Sequence, residues 1–130
     1  PTVQVAVKDA DIVICCTPST EPILDFDWLA PGTHVTAVGS DTASKQELDT
    51  NVLDNCDVLV CDDIEVSLTV GELHHHPAAR AKAADLGDVL TGAAKGRKHA
   101  EQVTVVDLCG LGVQDAAMAD LVMASIETGR

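Results

Sequence analysis

Four short apolar runs punctuate the chain: Ile12 to Cys16, Val35 to Val38, Val58 to Cys61 and Val103 to Val106. Each is rich in Val or Ile and has an acidic residue, a glycine or a proline nearby. Runs of this length and composition predict strands buried on both faces, as in a parallel sheet. Helical patterns fall between and after them. Asp49 or Thr50 is placed to cap a short helix carrying Val52 and Leu53, and the Ala-rich stretch from Ala78 to Leu90 predicts one helix. A last helix is expected from near Gln114 to about Glu127, with Met118, Leu121, Val122 and Ser125 along one face. The opening is open to two readings: Val3, Val5 and Val7 alternate as in a strand, while Thr2 suits the cap of a helix ending near Asp9. Strands alternating with helices predict an α/β domain with a parallel sheet.

Length and composition narrow this further. The 130 residues allow one domain, and 46% hydrophobic against 22% charged residues is ordinary for a folded globular chain. The longest apolar run is far short of the roughly 18 residues that a membrane helix needs, so no membrane partner is expected. No basic-then-apolar leader is visible, which fits a cytoplasmic protein. The formal charge of −13 repels phosphate backbones and argues against nucleic acid as a partner. Such an Asp-rich, aromatic-poor composition is that of a protein kept soluble in high salt, or simply of an acidic one. Five cysteines with no Cys-x-x-Cys pair read as small core residues in a reducing compartment, Cys15 and Cys16 facing opposite sides of a strand. With Phe26 and Trp28 as the only aromatics besides histidine, the core must be Val, Leu, Ile and Ala.

Ligands of open parallel sheets bind beyond the carboxyl ends of the strands. Those ends carry Thr17-Pro18-Ser19-Thr20, Gly39-Ser40-Asp41-Thr42, Asp62-Asp63 and Asp107-Leu108-Cys109-Gly110-Leu111-Gly112. Four rims of small, hydroxylic and acidic residues point to a ligand site there. Asp41 is the carboxylate of most interest. It lies just past a strand where a ligand can approach the Gly39 backbone, and Lys45 is four residues on. Desolvated by a ligand, such a carboxyl can be raised toward acid/base work. Gly110-x-Gly112 reads as a tight strand-to-helix turn rather than a pyrophosphate cradle, because the third glycine of the fingerprint is missing. His74, His75 and His76 read as partly exposed side chains, since three consecutive residues do not converge on one metal ion. His34 reads as structural, Asp62 and Asp63 as a solvated turn, and no metal site is expected.

Several segments together carry a resemblance. Ala10-Asp11-Ile12-Val13-Ile14 leads into Thr17-Pro18-Ser19-Thr20-Glu21-Pro22, and Trp28-Leu29-Ala30-Pro31-Gly32-Thr33-His34-Val35 leads into Ala37-Val38-Gly39-Ser40-Asp41. Lys45-x-Glu47-Leu48-Asp49, Gly71-Glu72-Leu73-His74-His75, Leu86-Gly87-Asp88-Val89-Leu90, Gly96-Arg97 and Val103-Thr104 through Gly110, Gln114 and Asp115 follow in register. In these segments the chain resembles the ornithine cyclodeaminase/mu-crystallin family along essentially its whole length. The resemblance favours the helical reading of the opening. It implies part of a Rossmann-like domain of an enzyme that uses NAD or NADP and transfers hydride through an imine of an amino acid.

By that likeness Asp41 is the acid/base and the contact to the substrate amine. Thr17 and the Ala37, Val38, Gly39 and Ser40 backbone line the nicotinamide half of the cofactor, with Lys45 nearby. Cys109 and Gly110 close the pocket, Gly110 on the substrate side. The family's Gly-rich pyrophosphate loop, its ribose-binding acid and its substrate-binding Arg and Lys have no match in this stretch. The resemblance therefore implies the C-terminal part of the nucleotide-binding domain, with weak dinucleotide binding by this chain alone. A missing N-terminal segment or a second copy, as in a homo-oligomer, is expected to complete it. A non-catalytic, mu-crystallin-like binding or interaction module is the alternative.

Overall fold

All four apolar runs are strands in the computed structural model, which describes residues 2–129. They are β1 (Ile12–Cys15), β2 (His34–Ala37), β3 (Val58–Cys61) and β5 (Thr104–Asp107), joined by a further short strand, β4 (Ala83–Asp85). Among the described residues they form one sheet in the order β1-β2-β5-β3-β4, with every pair parallel. The opening is helix α1 (Val3–Val7), whose Val5 N–H donates to the Thr2 hydroxyl at 3.4 Å. Helix α2 (Thr50–Asn55) is capped by Asp49, which accepts from the Asn51 N–H at 2.9 Å. Helices α3 (Ile64–Val70) and α4 (Glu72–His75) follow β3, and α5 (Leu86–Thr91) and α6 (Gly112–Thr128) complete the chain.

The expected helix from Ala78 to Leu90 is not formed as one element. Residues Pro77–Lys82 make a 3₁₀ turn, Ala83–Asp85 is β4, and helix begins again at Leu86. Alanine favours helix, but Leu59, Val60 and Cys61 offer an unpaired edge that takes Ala83, Ala84 and Asp85 in parallel register. Sheet pairing overrides local propensity here. The Asp85 carboxylate also accepts from the Ile64 N–H at 2.9 Å and ties β4 to the start of α3.

Register places side chains in rows across the sheet. Val13, Val35, Val105, Leu59 and Ala83 form one row and Cys15, Ala37, Asp107, Cys61 and Asp85 the next, both on the same face. That face meets Val7, Leu24, Leu48, Val52, Leu53 and Leu73 to form the core. The opposite face carries Ile12 and Ile14, about two-thirds exposed, and half-buried His34, Thr36 and Val106. Cys15 is buried and Cys16 exposed, as alternation requires, and the five thiols are free. Helix α6 covers neither face: none of its described side chains is buried, and Met118, Leu121 and Ile126 remain more than 60% exposed. No helix among the described residues is long and apolar enough to cross a membrane.

The two faces should respond differently to truncation. Leu59→Ala, in the closed row, should cost about 2–5 kcal/mol in urea unfolding. Ile14→Ala, on the open face, should cost less than about 0.5 kcal/mol in dilute solution. An Ile14→Ala cost that grows with protein concentration would show that copies of the chain bury this face against each other.

Candidate functional site

Parallel pairing puts the carboxyl ends of the strands on one rim, and the sequence repeats a spacing there. Thr17, Gly39 and Cys109 each stand two residues past the last residue of β1, β2 and β5. Those last residues, Cys15, Ala37 and Asp107, are neighbours in register. The loops carrying the expected site residues are therefore adjacent because their strands are.

The structure sorts these residues by depth. Ala37, Gly39 and Ser40 are buried beneath the rim, and the Ser40 hydroxyl is spent on the Lys45 carbonyl at 2.7 Å. Val38 and Asp41 face outward, and Thr17, Lys45 and Cys109 are half-buried. Lys45 Nζ lies 2.6 Å from Asp41 Oδ1. This hydrogen bond holds the Asp41 carboxyl below its usual range, whereas the upward shift expected from the sequence is one that a bound ligand would bring by desolvation. In the chain by itself, Asp41 is an exposed anion with a cation beside it. Burial, reinforced by Asp107 and Asp62, pushes the Cys109 thiol up to about 12, which leaves it without nucleophilic character.

Gly110 adopts a left-handed φ of +82°, and its N–H donates to Asp62 Oδ2 at 2.8 Å. The next amide, of Leu111, donates to the Gln114 side chain at 3.2 Å. Both N–H groups already meet acceptors, so neither is free for a phosphate oxygen. Asp62 is also not the solvated residue expected. It is 9% exposed because it ties the Gly110 turn to β3, while Asp63 caps α3 by accepting from Val66 N at 3.0 Å. The three consecutive histidines bond three separate acceptors, the Leu68 carbonyl, the Lys45 carbonyl and Asp54. His34 sits between the Thr104 and Thr36 hydroxyls, and burial, then Arg97, lowers its pKa. No group of three or more His, Cys, Asp or Glu among the described residues is placed to hold a metal ion.

Behind the rim stand three acids that sequence reasoning missed. Glu47 accepts from the Thr17 N–H at 2.6 Å and hydroxyl at 2.7 Å through Oε1, and from the Gly39 N–H at 2.8 Å through Oε2. Glu72 accepts from the backbone N–H groups of Glu47 and Leu48 at 2.9 and 3.1 Å. Asp107 Oδ2 accepts from the Glu72 N–H at 2.9 Å and from the Ser67 hydroxyl, while Oδ1 finds no donor among the described residues. The one local signal was position: Asp107 closes an apolar run, and Glu72 lies between Gly71 and Leu73.

The sequence profile of the ornithine cyclodeaminase/mu-crystallin family matches residues 2–130. The chain belongs to this family. A protein of Sinorhizobium fredii named as an uncharacterized cyclodeaminase is 42% identical over 127 residues, covering 94% of the chain and 38% of that protein. The ketimine reductase mu-crystallin of Macropus fuliginosus is 38% identical over 129 residues, covering 98% of the chain and 40% of its own length. The structure of the iminosuccinate reductase of Paracoccus denitrificans in complex with NAD⁺ superposes with a TM-score of 0.85 at 32% identity, over 99% of the chain and 41% of that structure. The chain thus spans about two-fifths of the length of these relatives, and the parallel sheet is the Rossmann-like one of its structural neighbours.

Burial raises Glu72 to about 7 and Asp107 to about 6, against the lowering effect of their hydrogen bonds. A folded-state carboxyl pKa above the unfolded one means that the folded chain binds more protons. The stabilisation from this pair is therefore full below about pH 4 and is lost as pH rises through 6 to 7. Urea unfolding at stepped pH should show stability falling across that window, and Glu72→Gln should flatten the fall.

Proposed function

We propose that this chain is the C-terminal part of the Rossmann-type domain of an NAD(P)-dependent enzyme that transfers hydride through an imine of an amino acid, as ketimine reductases and cyclodeaminases do. The observation that carries the reading is the convergence of Thr17, Val38, Asp41, Cys109 and Gly110 on one rim, with Asp41 the carboxylate exposed in the loop after β2. The iminosuccinate reductase bound to NAD⁺ supports a nicotinamide cofactor.

The residues present fit the nicotinamide half of such a cofactor. Val38 offers apolar surface, Thr17 a hydroxyl and Gly110 open backbone with no atom within 4 Å of where a Cβ would stand. For its pyrophosphate they offer less, because at the Gly110 turn the Gly110 and Leu111 amides are already bonded to Asp62 and Gln114. A reduced nicotinamide, when bound, supplies the hydride for the carbon of the C=N bond. Asp41, ionised beside Lys45, takes the proton from the substrate nitrogen in the oxidising direction and returns it in the reducing one. Buried Ala37, Gly39 and Ser40 keep the loop in place from below.

Asp41→Asn tests the assignment in an enzyme of the relatives' length that carries this segment. Turnover should fall by roughly 10²–10⁴, with unfolding and cofactor affinity unchanged. A loss under about threefold would leave Asp41 as a turn residue, whose backbone contacts Asn reproduces.

A further inference from the structure

We propose that Glu47 is the positioning residue of the rim, a buried clamp that sets the loops of Thr17 and Asp41 in one relative geometry. As a ligand-site assignment this rests on the functional reading above; the clamp itself does not. The β1–β2 ladder continues past the strands as far as the Val38 N–H, which donates to the Cys15 carbonyl at 2.9 Å. At the next positions the two loops carry N–H groups, of Thr17 and Gly39, and Glu47 gives each a carboxylate oxygen at 2.6 and 2.8 Å. The carboxylate continues the sheet where the backbone cannot.

Three features make this fit specific. All the Glu47 carboxylate contacts are donors: two amides and the Thr17 hydroxyl. A carboxylate accepts at every site, whereas glutamine would turn an NH₂ toward an N–H. The main chain of Glu47 is itself fixed, its N–H by Glu72 at 2.9 Å and its carbonyl by Ile23 and Leu24 at 2.8 and 3.1 Å. Finally, the clamp explains Gly39. A Cβ there would overlap the Thr17 carbonyl oxygen and stand 2.5 Å from the Glu47 carboxyl carbon, so only glycine lets the Thr17 loop and the Glu47 carboxylate come this close. Asp41 is tied directly to this point, its N–H donating to the Gly39 carbonyl at 3.1 Å. Displacing Gly39 therefore moves Asp41 relative to Thr17.

Amide hydrogen exchange and an NADH titration, both followed by NMR on the 130-residue chain, test this. In Glu47→Gln, exchange at Thr17 and Gly39 should accelerate at least tenfold while Val35 and Val105 stay within twofold. The dissociation constant for NADH should rise at least fivefold. Glu47→Asp, which keeps the carboxylate but draws it back by one methylene, should reproduce the pattern if Glu47→Gln does not fold. Acceleration spread evenly over all four amides would overturn the proposal, reducing Glu47 to a general stabiliser. So would local acceleration with unchanged NADH affinity. If NADH binding by the unaltered chain is too weak to titrate, the exchange pattern alone decides the clamp, and the functional reading stands or falls on the Asp41→Asn enzyme.

Discussion

Buried carboxylates facing backbone N–H groups are the constraint on which the rest of the molecule turns. Glu47, Glu72 and Asp107 are each 1% exposed or less, and their close partners are amides and hydroxyls. Taking a carboxyl group out of water is costly unless its oxygens are hydrogen-bonded. The acids are therefore tolerable only when the loops they hold are in place. The loops, in turn, have few other acceptors for their amides. Glu47 joins positions 30 apart in sequence, Glu72 positions 25 apart, Asp107 positions 35 apart and Asp62 positions 48 apart. One rim is thus assembled from four stretches of chain that no local preference would bring together.

This arrangement divides labour among the acids. Those below the surface hold backbone, and burial keeps Glu72 and Asp107 readily protonated. Asp41 stands above them, half in solvent and paired with Lys45, so its carboxyl is an anion over the ordinary pH range. A chain with 21 acidic residues thereby keeps one of them free of structural duty at the place where strand ends meet. The cysteines follow the same logic. Burial pushes Cys15, Cys61 and Cys109 to about 12, which suits packing and removes nucleophilic character.

The sheet is finished on one face and open on the other. Val, Leu and Ala from α1, α2, α4 and the intervening loops close the first, whereas Ile12 and Ile14 stand in solvent on the second. The sequence profile runs through both faces and through α6 without a break, while the matched relatives are two and a half times as long. The family's Rossmann-like sheet is the common element, and what the chain contributes to it is the rim behind β1, β2, β3 and β5.

Local pattern determined a great deal. Each Val/Ile run became a strand within a residue or so of its predicted ends, because a short β-branched run has few other ways to be buried. The opposite facing of Cys15 and Cys16 and the placing of Thr17, Asp41 and Cys109 on one rim followed from strand geometry, and the cap at Asp49 was one of two that the residue types offered. Tertiary structure alone decided three things. Ala83–Asp85 became a strand because β3 offered an edge. Asp62, read as a solvated turn, was buried by its bond to Gly110. Glu47, Glu72 and Asp107, which look like any surface acid in the sequence, became the frame of the site. The reason is common to all three. A side chain's partner 20 to 50 positions away leaves no periodicity in its own neighbourhood, and hydrogen bonds of that span exist only once the sheet has brought both ends together.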